Sequence, residues 1–439
     1  MARLNRSVLP GLAPHAQPLV RPGEAGAGIL HFGISAFHRA HQAVYTEEAI
    51  AEGGGDWAIV EVAPSSHDVL GALRAQEMLY SVLTVDGTEA TARVVGAFDS
   101  GLHARDEPGA VLRRIADPAI RVVTFTVTEK AYAPGSAVLD LLVRGLRLRE
   151  TPLALVSCDN LNNNGERLRD LVGTALQDPD VMALLSFPGT MVDRIVPATT
   201  PQSLATVETL LGARDEAAVV GEPFRQWVVQ DDFPGGRPAW ERAGVVLTTD
   251  TAPYELRKLR ALNGVHSALA YLGALAGEPT IDRALALPGA RGAMERFVAC
   301  DIAPTITALP VIPYGEQVLE RFANAALGYR TLQVAGDGSQ KLPQRILGTV
   351  ADRRAAGAVP EFAALVLAAW IRFVGGRADD GTELPLDDPL AAQLRTATPQ
   401  RRLELLSPGL ADDAPLRAEI DRWLRDLERH GAAATLAAL

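Results

Sequence analysis

The stretch Gly28-Ile29-Leu30-His31-Phe32-Gly33-Ile34-Ser35-Ala36-Phe37-His38-Arg39 decides the architecture of the first half of the chain. Its apolar opening, Gly28 to Gly33, reads as a buried strand, and Phe37 to Glu52 reads as the helix after it. A glycine at the tight turn, with small residues behind it, lets backbone N–H groups approach a pyrophosphate at the helix start. Gly33, Ser35, Ala36 and Phe37 make up that turn, so a dinucleotide such as NAD is its candidate ligand. The strict G-x-G-x-x-G spacing is broken, because Ser35 and His38 stand where that pattern has glycines. The plainer alternative is an ordinary strand-to-helix turn.

Outward from this turn the alternation continues. Trp57 to Ala63 reads as a second strand, with Glu61 inside it and Asp68 just beyond. Either carboxylate favours NAD over NADP by repelling a 2′-phosphate, and no arginine lies between them to welcome one. Tyr80 to Val85 and Thr91 to Ala97 flank the turn Asp86-Gly87 as a hairpin. Arg121 to Thr128 and Leu153 to Ser157 have the β-rich character of sheet interiors, and Val245 to Thr249 is one last strand. The segment Gln230 to Arg237 is a loop by composition. After Tyr254 the period becomes helical, most clearly over Leu256–Ala276, Glu316–Ala326, Ser339–Ala356, Pro360–Val374 and Pro415–Arg429. The expected fold is an α/β domain with a mixed sheet over 1–250, then a mostly α-helical domain over 251–439. A chain of 439 residues is too long for one ordinary core.

Bulk properties narrow the function. The net charge is −11 with no dense Lys/Arg run, which argues against nucleic acid or an anionic membrane as partner. The proline-broken N-terminus has no apolar core of a secretory signal. The most apolar stretch, Phe362 to Val374, is shorter than the roughly 20 residues that span a bilayer. Cys158 and Cys300 form neither a disulfide framework nor a cysteine-based zinc site. These features fit a cytoplasmic protein acting on a small molecule, as a monomer or a small homo-oligomer.

The chain has 39 arginines but only three lysines, Lys130, Lys258 and Lys341. A guanidinium cannot replace an amine where a proton must leave, so each surviving lysine is a site candidate. Asparagine is as scarce, seven in all, and five of these fall in two short segments. One segment is Lys258-Leu259-Arg260-Ala261-Leu262-Asn263-Gly264-Val265-His266. On an α-helix Asn263 lies about 140° from Lys258, with His266 between them at about 80°, so one helix can offer an amine, an amide and an imidazole. The bland alternative is the wet side of an amphipathic helix. The other segment, Ser157-Cys158-Asp159-Asn160-Leu161-Asn162-Asn163-Asn164-Gly165, follows a strand, where open α/β sheets build their sites. Its alternative is a helix cap by Asn164. Pro188 to Arg194 then places Asp193 in a loop, where an exposed pair with Arg194 is the alternative.

Taken together, HFGISAFHRAHQAVY (31–45), SCDNLNNNG (157–165), FPGTMVDR (187–194) and KLRALNGVHSALAYLG (258–273) resemble the mannitol dehydrogenase family of polyol-specific long-chain dehydrogenases. The likeness runs in order along the whole chain. It implies an N-terminal Rossmann-type domain, a mostly helical C-terminal domain, a cleft site, NAD, and no metal. By the same resemblance Lys258 is the general acid/base, and Asn160 and Asn263 are the amides that stabilise an oxyanion. His266 becomes a partner of a substrate hydroxyl, Asp193 a substrate or proton-relay carboxylate, and Asp68 the ribose-binding acid. Ser35 departs from the family, whose members carry a second glycine there.

The chemistry agrees. Oxidising a secondary alcohol removes its hydroxyl proton while a hydride leaves for the nicotinamide, so the lysine's pKa must fall from about 10.4 toward working pH. Thr126 to Tyr132, with Lys130, and Asp337 to Arg345, with Lys341 and Arg345, resemble the branch that interconverts D-mannonate and D-fructuronate. A uronate carries a carboxylate for a lysine or arginine to pair with. Lys341 is the better candidate, with Arg345 one helical turn further on and Lys130 in the other segment, and a solvated helix start is the alternative for the first two. Mannitol/fructose, or another polyol such as arabinitol, is the alternative substrate. A Schiff-base lyase would also use a buried lysine, but has no need of a nicotinamide.

Overall fold

The strand expected at the opening motif is β1 (Ala27–Phe32), central in a six-stranded sheet. The computed structural model describes residues 1–127 and 135–439. They fall into two units, Met1–Ala252 and Pro253–Leu439. In the first, β1 is flanked by β2 (Ala58–Ala63), then β3 (Tyr80–Asp86) and β4 (Glu89–Val95) form the expected hairpin. The chain continues through β5 (Phe98–His103), β6 (Val122–Phe125), β7 (Leu153–Ser157) and β8 (Leu185–Ser186). The main sheet has the order β5-β2-β1-β6-β7-β8, and every pair in it is parallel. β1 is the switch point, with the chain winding outward on either side of it.

Strand mixing is confined to two small sheets. The hairpin β3–β4 joins β10 (Val219–Gly221), while β9 (Thr190–Asp193) pairs antiparallel with β11 (Gln226–Gln230), which pairs with β12 (Val246–Thr248). The interior strands are buried on both faces because their side chains alternate between two cores. Ile29, Ile59, Val122 and Val156 face one, and Leu30, Phe32, Val60, Val123 and Leu155 face the other.

The helix expected over Phe37–Glu52 is two helices, α1 (Ala36–Ala40) and α2 (Gln42–Gly53), with His41 at φ −127° and ψ −86° between them. The cause is visible. The carbonyl of Arg39 accepts from Tyr80 Oη at 2.7 Å and that of Ala40 accepts from Arg194, so side chains take carbonyls a continuous helix would use.

In the second unit the helix Glu361–Val374 is almost wholly buried and packs against Ala414–Ala437 and Gly264–Leu275. The helix expected over Leu256–Ala276 divides into an α-helical turn Ala252–Arg257, a π-helical turn Lys258–Asn263 and the helix Gly264–Leu275. The amide of Gly264 donates to Leu259 O, five residues back, which is the π spacing. Two more π turns, Phe297–Ile302 and Pro343–Leu347, pack against the first. A Cβ on Gly264 would lie 3.2 Å from Arg345 O and 3.8 Å from Phe297 Cε1, so the three wide turns meet at a glycine. Among the described residues no helix is long and apolar enough to cross a membrane.

Candidate active site

The turn after β1 is built for close backbone approach. Gly33 has φ +110°, and a Cβ there would lie 2.1 Å from Thr126 O, so only glycine fits. Ser35 caps α1, its Oγ accepting the His38 amide at 3.0 Å, a task the missing glycine of the fingerprint could not perform. Ala36 and Phe37 open α1, and the Phe37 ring stacks on His41 at 5.0 Å. The Thr126 hydroxyl ties the turn together, lying 3.0 Å from Ser35 Oγ, 3.0 Å from Gly33 O and 2.9 Å from His31 Nε2. His31 is fully buried. Its Nε2–H donates to Gly33 O at 2.7 Å, which leaves Nδ1 to accept from the Thr124 hydroxyl at 2.7 Å. Sequence reasoning missed His31, Thr124 and Thr126. Their signal was polar residues inside strands that are otherwise apolar.

Of the two candidate ribose carboxylates, the structure withdraws Glu61. It is fully buried, with Oε1 2.7 Å from His38 Nε2. Burial pushes the Glu61 carboxyl up to about 8 and the imidazoles of His31 and His38 down to about 3. The pair is therefore a neutral acid donating to a neutral imidazole. Asp68 is exposed in the first turn of α3 (His67–Ala75), beyond the C-terminal end of β2. These features fit a dinucleotide: a glycine with no room for a side chain at the switch point, and a free-standing carboxylate at the next strand end.

The loop after β7 carries Asn160, which is exposed, and Asp159, whose Oδ2 accepts the Val127 amide at 3.2 Å. Asn164 is not the helix cap that its position suggested. Asn163, at φ +52°, occupies that place, and the Asn164 carboxamide is buried against Thr190. Its Nδ2 donates to Thr190 O at 3.0 Å, while its Oδ1 accepts the Thr190 amide at 2.9 Å. Thr190 Oγ1 in turn donates to Ser157 O at 2.6 Å. The loop with Asn160 is thereby fixed to β9, whose last residue is Asp193. Asp193 was expected in a loop, with an exposed pair as the alternative. It ends a strand and is 4% exposed, so the alternative fails.

In the second unit, Lys258 and Asn263 begin and end the π turn. In a turn closed by i→i+5 bonds, residues five apart are neighbours on one face, as residues four apart are in an α-helix. The separation of about 140° expected on a regular α-helix is thereby removed. Lys258 is half-buried. Arg260 is neutralised by Asp352 at 2.6 Å, and the Arg257 guanidinium lies 4.4 Å from the Tyr314 ring centre.

His266 lies one step further along. It stacks on Phe322 at 4.6 Å, and its buried Nε2 has no hydrogen-bond partner among the described residues. Burial, followed by the charges of Arg345, Lys341 and Arg321, lowers its imidazole to about 3. Arg345 donates to Ser267 Oγ at 3.1 Å and has no carboxylate within ion-pair distance among the described residues. Burial lowers its pKa. Lys341 is more committed, with Nζ 2.6 Å from Gly336 O and 4.0 Å from Asp337 Oδ2. Lys130 lies outside the described residues. Each unit thus gathers its own share of the candidates, Asn160 with Asp193 in the first, and Lys258, Asn263, His266, Lys341 and Arg345 in the second.

Comparison with known proteins is decisive about the family. Residues 27–242 match the mannitol dehydrogenase Rossmann domain and residues 250–407 the mannitol dehydrogenase C-terminal domain. The chain is 39% identical to an uncharacterized oxidoreductase of Escherichia coli, YeiQ, covering 88% of each chain. It is 36% identical to the D-mannonate oxidoreductase of Escherichia coli, over 92% of this chain and 93% of that one. Among solved structures it is similar to the mannitol 2-dehydrogenase of Pseudomonas fluorescens in ternary complex with NAD and D-mannitol. That likeness has a TM-score of 0.83 at 31% identity and covers 99% of both chains. The chain therefore belongs to the mannitol dehydrogenase family, the NAD-dependent dehydrogenases that act on the CH–OH groups of polyols and sugar acids.

Proposed function

We propose that the protein interconverts a keto sugar acid and its secondary alcohol, D-fructuronate and D-mannonate, with Lys258 as general acid/base. The observation that carries the choice of substrate is Arg345, a half-buried guanidinium with a hydroxyl partner and no carboxylate within ion-pair distance among the described residues. A desolvated cation of this kind is stabilised by an anion arriving with the substrate, and the fork of its N–H groups matches a carboxylate. Lys341, the better candidate from the sequence, has its amine on the carbonyls of Val334 and Gly336, so this reading gives the direct pair to Arg345 and leaves Lys341 to add charge. The 36% identity to a D-mannonate oxidoreductase supports the same reading.

NADH, when bound, supplies the hydride that reaches the keto carbon. In this reading the Gly33–Phe37 turn takes its pyrophosphate and Asp68 its adenosine ribose. Lys258 gives its proton to the carbonyl oxygen in reduction and takes it back in oxidation. Asn160 and Asn263 donate to that oxygen as charge grows on it, and loss of one such donor typically costs about 3 kcal/mol of barrier. His266 offers its unpartnered Nε2 to a substrate hydroxyl, and Asp193 orients a second hydroxyl or relays the proton. The second reading, mannitol and fructose, is favoured by the likeness to the mannitol 2-dehydrogenase structure. A panel of fructuronate, tagaturonate, fructose and xylulose, each reduced with NADH and NADPH, separates the two. Fructuronate is expected to have the highest kcat/KM with NADH, and a preference for fructose would overturn the assignment.

A further inference from the structure

We propose that the first unit carries an anion-binding site of its own, a cavity of about 420 Å³ where Arg93, Arg194 and Arg225 converge, for a small carboxylate or phosphate metabolite. Val44 from α2 and Val82 from β3 line it together with His15, Thr84 and Thr91, and one carboxylate, Glu48, is among the lining residues. A concave site with several convergent polar groups suits a small charged ligand.

Charge balance points to an anion. Glu48 is shared, 3.3 Å from Arg93 and hydrogen-bonded to Arg225. Arg93 also has Glu47 at 2.5 Å. Arg194 has no carboxylate within ion-pair distance among the described residues, and its N–H groups reach only the carbonyls of Ala40 and Glu222. Arg225 Nη1 is buried without a hydrogen-bond partner. Burial draws the Arg194 guanidinium down to about 10, and Arg225 beside it is the next cause. Two clustered guanidiniums with spare donors match an oxyanion better than water does.

The site is separate from the candidate catalytic carboxylate but connected to it. Asp193 closes β9 and Arg194 follows it just outside the strand, and of the two only Arg194 lines the cavity. Arg194 also donates to Ala40 O, the break between α1 and α2 just behind the nucleotide turn. An anion that draws on Arg194 competes with that bond, so occupancy is coupled to NADH affinity.

The test is calorimetric titration of inorganic phosphate, and separately of malonate, into the full chain saturated with NADH, which blocks the nucleotide's own phosphate site. Saturable one-to-one binding of either anion, weakened at least tenfold in Arg225→Met, supports the site, and the stronger anion identifies its chemistry. Equal binding by wild type and Arg225→Met, or no saturation, overturns it. Thr84→Trp fills the same cavity while keeping all three arginines and must abolish binding too. In a second titration the NADH dissociation constant is measured with and without the tighter anion, and an unchanged value overturns the coupling.

Discussion

Asn164 grips Thr190 by both ends of its carboxamide, accepting the threonine amide at 2.9 Å and donating to its carbonyl at 3.0 Å. The two residues are 26 positions apart, and the pair locks the Asn160 loop to the strand that ends in Asp193. Asn164→Ala leaves buried backbone groups unsatisfied, a cost of about 1–3 kcal/mol. Urea denaturation should show that loss. The variant's kcat should fall about tenfold while its NADH dissociation constant holds, and a normal kcat would remove the loop's part in catalysis.

Lys258→Ala is expected to abolish turnover while NADH still binds, as read by fluorescence titration. Lys258→Arg should not restore activity, because a guanidinium keeps its proton at any working pH. Near-normal turnover in either variant would dismiss the lysine as the acid/base.

Arg345→Met removes the charge proposed for the substrate carboxylate. Losing a charge-assisted pair of about 1.5–3 kcal/mol corresponds to roughly a ten- to hundredfold rise in the KM for fructuronate. The KM for fructose, which has no carboxylate, should barely move. A parallel rise for both sugars would mean that Arg345 only supports the fold.

Asp68→Ala should admit NADPH. The exposed carboxylate repels a 2′-phosphate, so its removal is expected to raise kcat/KM for NADPH about tenfold and to lower that for NADH. Unchanged cofactor preference would move the ribose site elsewhere.

The buried titratable groups set a pH optimum for stability. His31, His38 and His41 are held near 3 by burial, against an ordinary 6.5. They stay neutral in the folded chain and gain protons on unfolding below about 6.5, so stability falls as the pH drops through that window. Glu61, raised to about 8 from 4.5, works the other way, and its contribution declines as the pH rises between those values. Burial raises Glu47 and Asp215 in the same sense as Glu61, so the three imidazoles oppose three carboxyls and the first unit is most stable near pH 6.5, losing stability on both sides. Melting curves from pH 4.5 to 8.5 check this, and a flat acid limb would sink it.

Much of the fold was legible because interior strands leave continuous apolar runs, and β7 was read from Leu153 to Ser157 to the residue. β5 was missed because Asp99, Ser100 and Gly101 interrupt its run at the sheet's edge. The break at His41 is set by Tyr80 and Arg194, far away in sequence, and no local pattern could announce it. The candidate residues were legible by rarity, since an arginine-rich chain that keeps a lysine marks it. The angular relation of Lys258 to Asn263 was misread, because a period of 3.6 does not hold across a π turn. Position relative to the strand could not separate Glu61 from Asp68; only the family resemblance pointed to Asp68, and the burial of Glu61 agrees with it.

The wide turn at Lys258–Asn263 also has a mechanical meaning. Helices bend most sharply where the regular ladder is interrupted, and a π bulge is one of the few interruptions that does so without proline. The segment bearing the lysine is thus the point where an otherwise regular helix is interrupted, packed against two similar interruptions. Small adjustments of the amine's direction can be absorbed there, leaving the buried half of the helix undisturbed.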